Sequence, residues 1–135
     1  MQIVDTNIFI RFLTKDDPKK TEACRKLFKK AEDGEVELQT TESIIAEVIY
    51  VLESKNLYNL SRDEIYERLL PILTIDGLRI SYKNSVIRAL EVYTKDKIHF
   101  NDAILVALAE RTGIKEIISY DRGLDKIKNV KRVEP

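Results

Sequence analysis

The chain has 135 residues, a length at which one compact domain is the default, and its 44% apolar and 34% charged residues exclude a disordered or fibrous protein. Lysine plus arginine and aspartate plus glutamate both number 23, so any nucleic-acid binding must depend on local charge rather than on a global basic excess. No apolar run approaches the roughly 18 residues of a membrane helix, and no signal peptide is recognisable, so we expect a cytoplasmic protein with no membrane partner.

The first part of the chain is predicted to form one strand and two helices. The apolar segment 2–5 (QIVD) indicates a short buried strand, and 6–13 (TNIFIRFL) indicates a brief helix. Asp17 is placed to cap a helix over 18–33, which Gly34 ends.

A second strand and a helical hairpin are predicted next. The segment 35–41 alternates and favours a strand, whereas 43–55 is apolar on most of its circumference, as expected of a buried helix that Asn56 can close. Ser61–Glu64 has the form of a capping box, which opens the following helix. We expect Pro71 to end or bend that helix.

The last part of the chain continues the alternation of strands and helices. A very apolar segment is followed by Gly113, a residue typical of a helix stop. The predicted elements are a strand at 78–81, helices at 84–97 and 101–112, and strands at 115–120 and 130–134.

This order of elements predicts the fold class and the edge on which a site would lie. Strands that alternate with helices imply a single domain, 1–135, with three layers, α/β/α, around a mainly parallel central sheet of four to five strands. Ligands of such sheets gather at the carboxyl ends of the strands. The acidic residues at strand ends are therefore the first candidates for a site.

Four acids from distant parts of the sequence are predicted to lie near that edge. Asp5 ends the first strand between apolar neighbours, where a charge carries a desolvation cost unless it is paired or binds a metal. Glu47 is the only acid in the apolar run IIAEVIYVL. Asp102 opens an apolar helix, and Asp121 follows a later strand.

Close carboxylates repel one another unless their pKa values rise or a divalent cation binds between them. The chain has one histidine and no cysteine cluster, and its one cysteine, Cys24, lies on an apolar helical stripe as a predicted core thiol. Ligation by oxygen alone suits Mg²⁺ or Mn²⁺ better than Zn²⁺. Such an ion is the usual means of activating water in phosphoryl chemistry.

Four short motifs, taken in order, resemble the signature of the PIN-domain family. They are IVDTNIFI at 3–10, AEV at 46–48, FNDA at 100–103 and SYD at 119–121. The resemblance spans the whole chain and is greatest to the VapC-like toxin ribonucleases of toxin-antitoxin pairs. It implies a metal-dependent endoribonuclease that hydrolyses RNA phosphodiester bonds.

The resemblance also implies roles for particular residues. The metal-binding and catalytic acids would be Asp5, Glu47, Asp102 and Asp121. The supporting polar residues would be Thr6, Asn7 and Ser119. Independently of the resemblance, some basic residues lie close in sequence to these acids and are candidate contacts of the RNA phosphates, and these are Arg11, Lys97 and Arg122.

One position departs from the family pattern. Many relatives carry a further acid two residues after the one that matches Asp121, and this chain has Gly123 there. The sequence leaves open whether one or two metals bind and whether Asp125 substitutes for the missing acid.

Two protein partners are also expected. The toxin resemblance implies a protein antitoxin that inhibits the enzyme. The predicted helical hairpin near Ile65, Leu69 and Leu70 suggests surplus apolar surface, which a homodimer would bury.

Each acid has a purely structural alternative. Asp5 could be a turn residue, and Glu47 could face solvent through a gap in its helix. Asp102 could be a first-turn acid favoured by the helix dipole. Asp121 could be a loop acid paired with Arg122.

Two other functions fit parts of the same pattern. A receiver-like phospho-acceptor signalling domain also has aspartates at strand ends and binds Mg²⁺, but its first strand usually ends in paired acids, whereas Thr6 and Asn7 follow Asp5 here. A catalytically silent PIN module in RNA processing is disfavoured by the complete set of four acids.

Overall fold

A computed structural model describes residues 1–135, which form two compact units, Met1–Lys83 and Asn84–Pro135. The strands are β1 (Gln2–Ile3), β2 (Leu38–Gln39), β3 (Leu78–Arg79), β4 (Glu116–Ile118) and β5 (Lys131–Val133). The helices are α1 (Thr6–Thr14), α2 (Pro18–Glu32), α3 (Glu42–Glu53), α4 (Arg62–Leu73), α5 (Lys83–Asp96) and α6 (Phe100–Thr112), followed by a 3₁₀ helix at Arg122–Lys126.

The first unit is built on a parallel sheet in the order β1-β2-β3. Leu38 lies at the centre of this sheet, paired with Gln2 on one side and with Leu78 on the other. The surrounding helices bury a continuous apolar core. Its largest fully buried side chains are Phe9, Leu38, Ile45, Ile49, Leu52, Ile65, Leu69, Leu73 and Leu78.

The second unit combines two helices with a parallel pair of strands, β4 and β5. Ile117 pairs with Arg132 at the centre of this two-stranded sheet. Within the unit, the rings of Tyr93 and Phe100 meet edge to face with their centroids 6.0 Å apart. Leu124 of the 3₁₀ helix is fully buried and anchors the segment that follows β4.

The predicted α/β class and the parallel strand pairing are confirmed, and they are consistent with a PIN-like three-layer α/β/α fold. The predicted central sheet of four to five strands was wrong, since the five strands divide into a three-stranded and a two-stranded sheet. Strands of two or three residues make few ladder hydrogen bonds, so their partners cannot be read from short apolar runs. A single domain over 1–135 stays a prediction.

Local capping signals were read correctly at three helix ends. The side chain of Asp17 accepts a hydrogen bond from the Lys20 amide at the start of α2. Both hydrogen bonds of the capping box in Ser61–Glu64 are present, and Gly113 ends α6 in the left-handed conformation. These features depend on neighbours within four residues, which is why the sequence predicts them.

Two helix ends differ from the prediction. Helix α3 ends at Glu53, where Ser54 is the capping residue, so Asn56 does not close the helix. Helix α4 continues past Pro71 to Leu73, so Pro71 does not end the helix, and a bend at Pro71 stays a prediction. The buried side chains of Ile72 and Leu73 contribute to the core, which offsets the hydrogen bond that proline cannot donate.

The helical hairpin does not present the apolar surface that was predicted for a homodimer. Ile65 and Leu69 are fully buried within their own chain, and Leu70 is only partly exposed. That basis for a homodimer was therefore wrong. Exposed large apolar side chains do occur in the second unit, at Leu105, Leu108, Ile114 and Ile118.

Two further expectations concerned the single cysteine and the absence of a membrane-spanning helix. Cys24 is a free, buried thiol, as the apolar stripe predicts. None of the helices has the length and apolar character needed to cross a bilayer.

Candidate active site

Asp5 is placed at the junction of β1 and α1, where it is the capping residue of the helix. Its Oδ1 accepts a 2.7 Å hydrogen bond from the backbone N–H of Thr6. The expectation that Asp5 carries a desolvation cost was wrong, because its side chain is exposed. Of the two apolar residues before it, Val4 is buried but Ile3 is 85% exposed. Asp5 is therefore a helix cap whose carboxylate also faces solvent.

Glu47 is joined to this junction by a contact across 41 residues of sequence. The hydroxyl of Thr6 donates a 2.8 Å hydrogen bond to Oε2 of Glu47. Thr6 is buried, whereas Glu47 is exposed on α3. Although its neighbours in the run IIAEVIYVL are apolar, Glu47 faces solvent as its structural alternative supposed. One buried threonine thus holds the carboxylates of Asp5 and Glu47 through its amide and its hydroxyl.

A second threonine supports the same junction, and the sequence analysis missed it. The buried hydroxyl of Thr40, next to the end of β2, donates a 3.0 Å hydrogen bond to the carbonyl of Val4. The Thr40 amide donates to the Arg79 carbonyl of β3. The Val4 peptide that carries Asp5 is therefore fixed to the neighbouring strand. The polar pair after β2 in the sequence was the available signal.

Asp102 and Asp121 come together within the second unit. Asp102 lies in the first turn of α6 and is partly buried. Burial, and then a hydrogen bond and charge repulsion from Asp121, raise the pKa of Asp102 to about 6. The same hydrogen bond, together with the amide of Gly123, lowers the pKa of Asp121. Asp102 therefore holds its proton to a higher pH than an isolated aspartate would, whereas Asp121 stays ionised to a lower pH.

The segment that carries Asp121 is ordered by its own short-range hydrogen bonds. The Asp121 amide donates to the hydroxyl of Ser119 at 3.0 Å, and the Gly123 amide donates to Oδ1 of Asp121 at 2.8 Å. Asp121 thus caps the 3₁₀ helix and interacts with Asp102, not with Arg122 as the structural alternative supposed.

Gly123 and Asp125 lie in the region for which the family resemblance implied a further acid. A Cβ atom at position 123 would approach Oδ1 of Asp121 to 3.0 Å, so a larger residue there would press on that carboxylate. Asp125 accepts a 2.9 Å hydrogen bond from Nε of Arg132. Asp125 is therefore paired with an arginine and is not a free substitute for the missing acid.

The other residues predicted to belong to the site are the supporting residue Asn7 and three basic residues. Asn7 is exposed and lines, with Arg11 and Cys24, a cavity of about 390 Å³ in the first unit. Arg11 donates a 3.1 Å hydrogen bond to Asp16, which reduces its availability to a phosphate. Lys97 and Arg122 are exposed.

Comparison with known proteins identifies the family. Residues 3–130 match the PIN domain, a span that includes residues of both compact units. The chain belongs to the PIN-domain family. It is also 29% identical over 135 residues to a VapC ribonuclease of Aquifex aeolicus (strain VF5), a match that covers all of this chain and 97% of that protein. The resemblance read from the four motifs is confirmed.

The donor atoms of this PIN domain fit a hard divalent cation. Each unit, taken by itself, brings two carboxylates together: Asp5 and Glu47 both accept hydrogen bonds from Thr6 in the first unit, and Asp102 interacts with Asp121 in the second. Neither unit by itself gathers three acidic, histidine or cysteine side chains as a ready set of ligands. The charge repulsion from Asp121, which contributes to the raised pKa of Asp102, favours a positive charge beside this pair. Mg²⁺ and Mn²⁺ prefer such oxygen donors and retain several water ligands.

Proposed function

We propose that this PIN domain is a metal-dependent endoribonuclease, acting in the cytoplasm as the toxin of a toxin-antitoxin pair. The observation that carries the proposal is that Asp102 and Asp121 come together in the second unit, where burial and the neighbouring carboxylate raise the pKa of Asp102. A divalent cation bound between two such carboxylates would relieve their repulsion. Membership of the PIN family and similarity to a VapC ribonuclease support RNA as the substrate. Family membership also argues against the receiver-like alternative.

The proposed ligands of Mg²⁺ or Mn²⁺ are Asp5, Glu47, Asp102 and Asp121. When bound, the ion would activate a water molecule and neutralise charge on the scissile phosphate. The match to the family across residues 3–130 is the reason for assigning all four acids to one site. Because position 123 of this chain is a glycine, the proposed set of metal ligands consists of these four carboxylates.

Hydrogen bonds from neighbouring residues orient these acids for metal binding. Thr6 restricts Glu47 by its hydroxyl and Asp5 by its amide, so less side-chain entropy is lost when a cation binds. The hydroxyl of Ser119 and the amide of Gly123 likewise restrict the segment that carries Asp121 through hydrogen bonds. Because the pKa of Asp102 is about 6, this carboxyl must lose a proton before it can act as a ligand below that pH. The proposed contacts of the RNA phosphates are the exposed side chains of Lys97 and Arg122. Arg11 could make such a contact only after its hydrogen bond to Asp16 breaks.

The proposed regulatory partner is a protein antitoxin. Carboxylates without a metal form an uncompensated anionic surface, which an arginine satisfies with two parallel hydrogen bonds that lysine cannot reproduce. We therefore expect the antitoxin to place an arginine on these acids. A homodimer is retained as a prediction without an assigned interface.

The function is tested by assaying RNA and phosphoryl transfer side by side. The protein is incubated with structured RNA and Mn²⁺, with and without EDTA, and separately with an acyl-phosphate donor. We expect internal cleavage of RNA that EDTA stops, and no phosphorylation of the protein. Cleavage that continues in EDTA overturns the metal mechanism, phosphorylation without cleavage favours a receiver-like domain, and neither activity favours the catalytically silent PIN module.

A further inference from the structure

The segment that carries Asp121 is fastened at both ends by one side chain, that of Arg132 on β5. Nη1 of Arg132 donates a 2.9 Å hydrogen bond to the carbonyl of Ser119, where β4 ends. Nε of the same guanidinium donates a 2.9 Å hydrogen bond to Oδ1 of Asp125, inside the 3₁₀ helix. Asp121 lies between these two attachment points.

The guanidinium of Arg132 is suited to this task by its geometry and its surroundings. Its donors point in fixed, different directions, so one group can reach a carbonyl and a carboxylate at once, whereas a lysine ammonium is a flexible point charge. The Arg132 side chain is only 13% exposed, and Glu134 accepts a third hydrogen bond at 3.1 Å. By contrast, Lys131 on the same strand is 73% exposed and lies 3.8 Å from Glu116.

The contacts of Arg132 reach Asp121 through two short steps. At one end, Arg132 holds the Ser119 carbonyl, and the hydroxyl of Ser119 accepts the Asp121 amide. At the other end, it holds Asp125 in the helix whose first turn supplies the Gly123 amide to Oδ1 of Asp121. Arg132 makes no hydrogen bond to Asp121 itself, and its charge acts on that carboxylate only as one of the smaller causes that lower the Asp121 pKa. Its effect on the orientation of Asp121 therefore passes through Ser119 and Asp125.

The geometry points to Arg132 as a positioning residue for Asp121. It fixes the Ser119–Asp125 segment so that the Asp121 carboxylate keeps one orientation, and by pairing with Asp125 it keeps that acid out of the metal site. Its role in metal binding rests on the proposed function, whereas its role in ordering the segment does not. The sequence gives no signal for it, because Arg132 is distant from all four motifs.

The first experiment measures backbone order without metal. In the Arg132→Gln protein, we expect the ¹⁵N order parameters of the Asp121 and Gly123 amides to fall from about 0.85 to about 0.6, while those of α6 stay unchanged. Arg132→Lys should lie between this variant and the wild type. The matched control is Lys131→Gln, in which the order of both amides should persist. Unchanged order in Arg132→Gln overturns the proposal.

A second variant covers the case in which Arg132→Gln does not fold. Asp125→Ala removes one attachment point and leaves the Ser119 carbonyl bonded to Arg132. We expect a smaller loss of order at Gly123, with the Asp121 amide less affected. Full order at both amides in this variant would overturn the role assigned to the Asp125 contact.

The second experiment measures Mn²⁺ affinity by calorimetry in a double-mutant cycle. Arg132→Gln should weaken Mn²⁺ binding about tenfold, the lower end of the effects seen for residues that orient metal ligands. In the Asp121→Asn background the same substitution should cause no further loss, because Arg132 acts through Asp121. Independent, additive losses would overturn positioning through Asp121.

The two experiments separate the two proposals. If the wild type binds no Mn²⁺ but Arg132→Gln loosens the segment, the metal-dependent function fails and the positioning role stands. If the wild type binds Mn²⁺ and Arg132→Gln leaves both order and affinity unchanged, the positioning role fails and the function stands.

Discussion

The hydroxyl of Thr6 donates to Oε2 of Glu47 at 2.8 Å, and these two residues lie 41 positions apart in the chain. The amide of Thr6 donates at the same time to the Asp5 carboxylate. Because Thr6 is buried while both acids are exposed, the fixed part of this group is the threonine and the carboxylates are oriented by it. The consequence is testable by changing Thr6 alone.

Thr6→Val should lower ribonuclease activity by about 10- to 100-fold, the range typical of residues that orient metal ligands. Valine has the shape of threonine and lacks the hydroxyl, so Glu47 loses its orienting partner while the core stays filled. Thr6→Ser restores the hydroxyl and should recover most of the activity. Initial rates of RNA cleavage at saturating Mn²⁺ check this. Equal losses in the two variants would show that packing, and not the hydrogen bond, matters.

Asp5→Asn and Asp5→Ala separate the capping role of Asp5 from its proposed chemical role. Asparagine caps a helix about as well as aspartate, so Asp5→Asn should keep the melting temperature and lower the cleavage rate by orders of magnitude. Asp5→Ala should lose activity and also destabilise the fold by about 1 kcal/mol. Thermal unfolding and RNA cleavage are measured on both proteins. An active Asp5→Asn protein would remove Asp5 from the proposed site.

Divalent metal should stabilise the folded chain by linkage. At a Mn²⁺ concentration of about a hundredfold over the dissociation constant, the expected gain is ~2.7 kcal/mol, seen as a rise in melting temperature. Asp102→Asn should reduce this rise. Asp63→Asn is the control, since Asp63 is an exposed first-turn acid of α4. A similar reduction in both variants would mean that the metal binds elsewhere.

The stability of the metal-free protein should depend on the proton held by Asp102. Its pKa in the folded chain, about 6, lies above its ordinary value of 3.8, so between these values the folded chain binds more protons than the unfolded chain. The stability supplied by this proton is present below pH 3.8 and is lost as the pH rises to about 6. The lowered pKa of Asp121 acts oppositely, contributing stability that is lost in acid.

We therefore expect the melting temperature of the metal-free wild type to fall, relative to that of Asp102→Asn, as the pH rises from about 4 to about 7. Mn²⁺ affinity should rise over the same interval and then level off, because the cation competes with the proton. Melting curves and Mn²⁺ titrations across this range provide the measurement. Parallel pH profiles for the wild type and Asp102→Asn would contradict the raised pKa of Asp102.

An arginine from the antitoxin should compete with metal for the acids. Mn²⁺ added to a preformed complex should weaken the affinity of the inhibitor, and replacing its arginine should relieve inhibition more than binding. Asp5→Asn should also weaken the complex, because it removes one of the charges that the arginine would satisfy. Inhibitor affinity that is unchanged by saturating Mn²⁺ and by Asp5→Asn would exclude this mechanism.

The sequence by itself determined the features that depend on close neighbours. Asp17, the capping box in Ser61–Glu64 and Gly113 all act through hydrogen bonds or backbone conformations within a few residues. The four motifs also determined the family, since they occur in order over the whole chain. Long apolar helices were recognisable for a similar reason, because their periodicity repeats several times.

Only the tertiary structure decided the features that depend on contacts between remote segments. The sequence shows that Ile65 and Leu69 are apolar, but only the packing of the fold shows that they are buried. The exposure of Asp5 and Glu47, the bond from Thr6 to Glu47, and the pairing of Arg132 with Asp125 are of the same kind. Their energies come from atoms brought together by folding, and no local pattern in the chain records which atoms those will be.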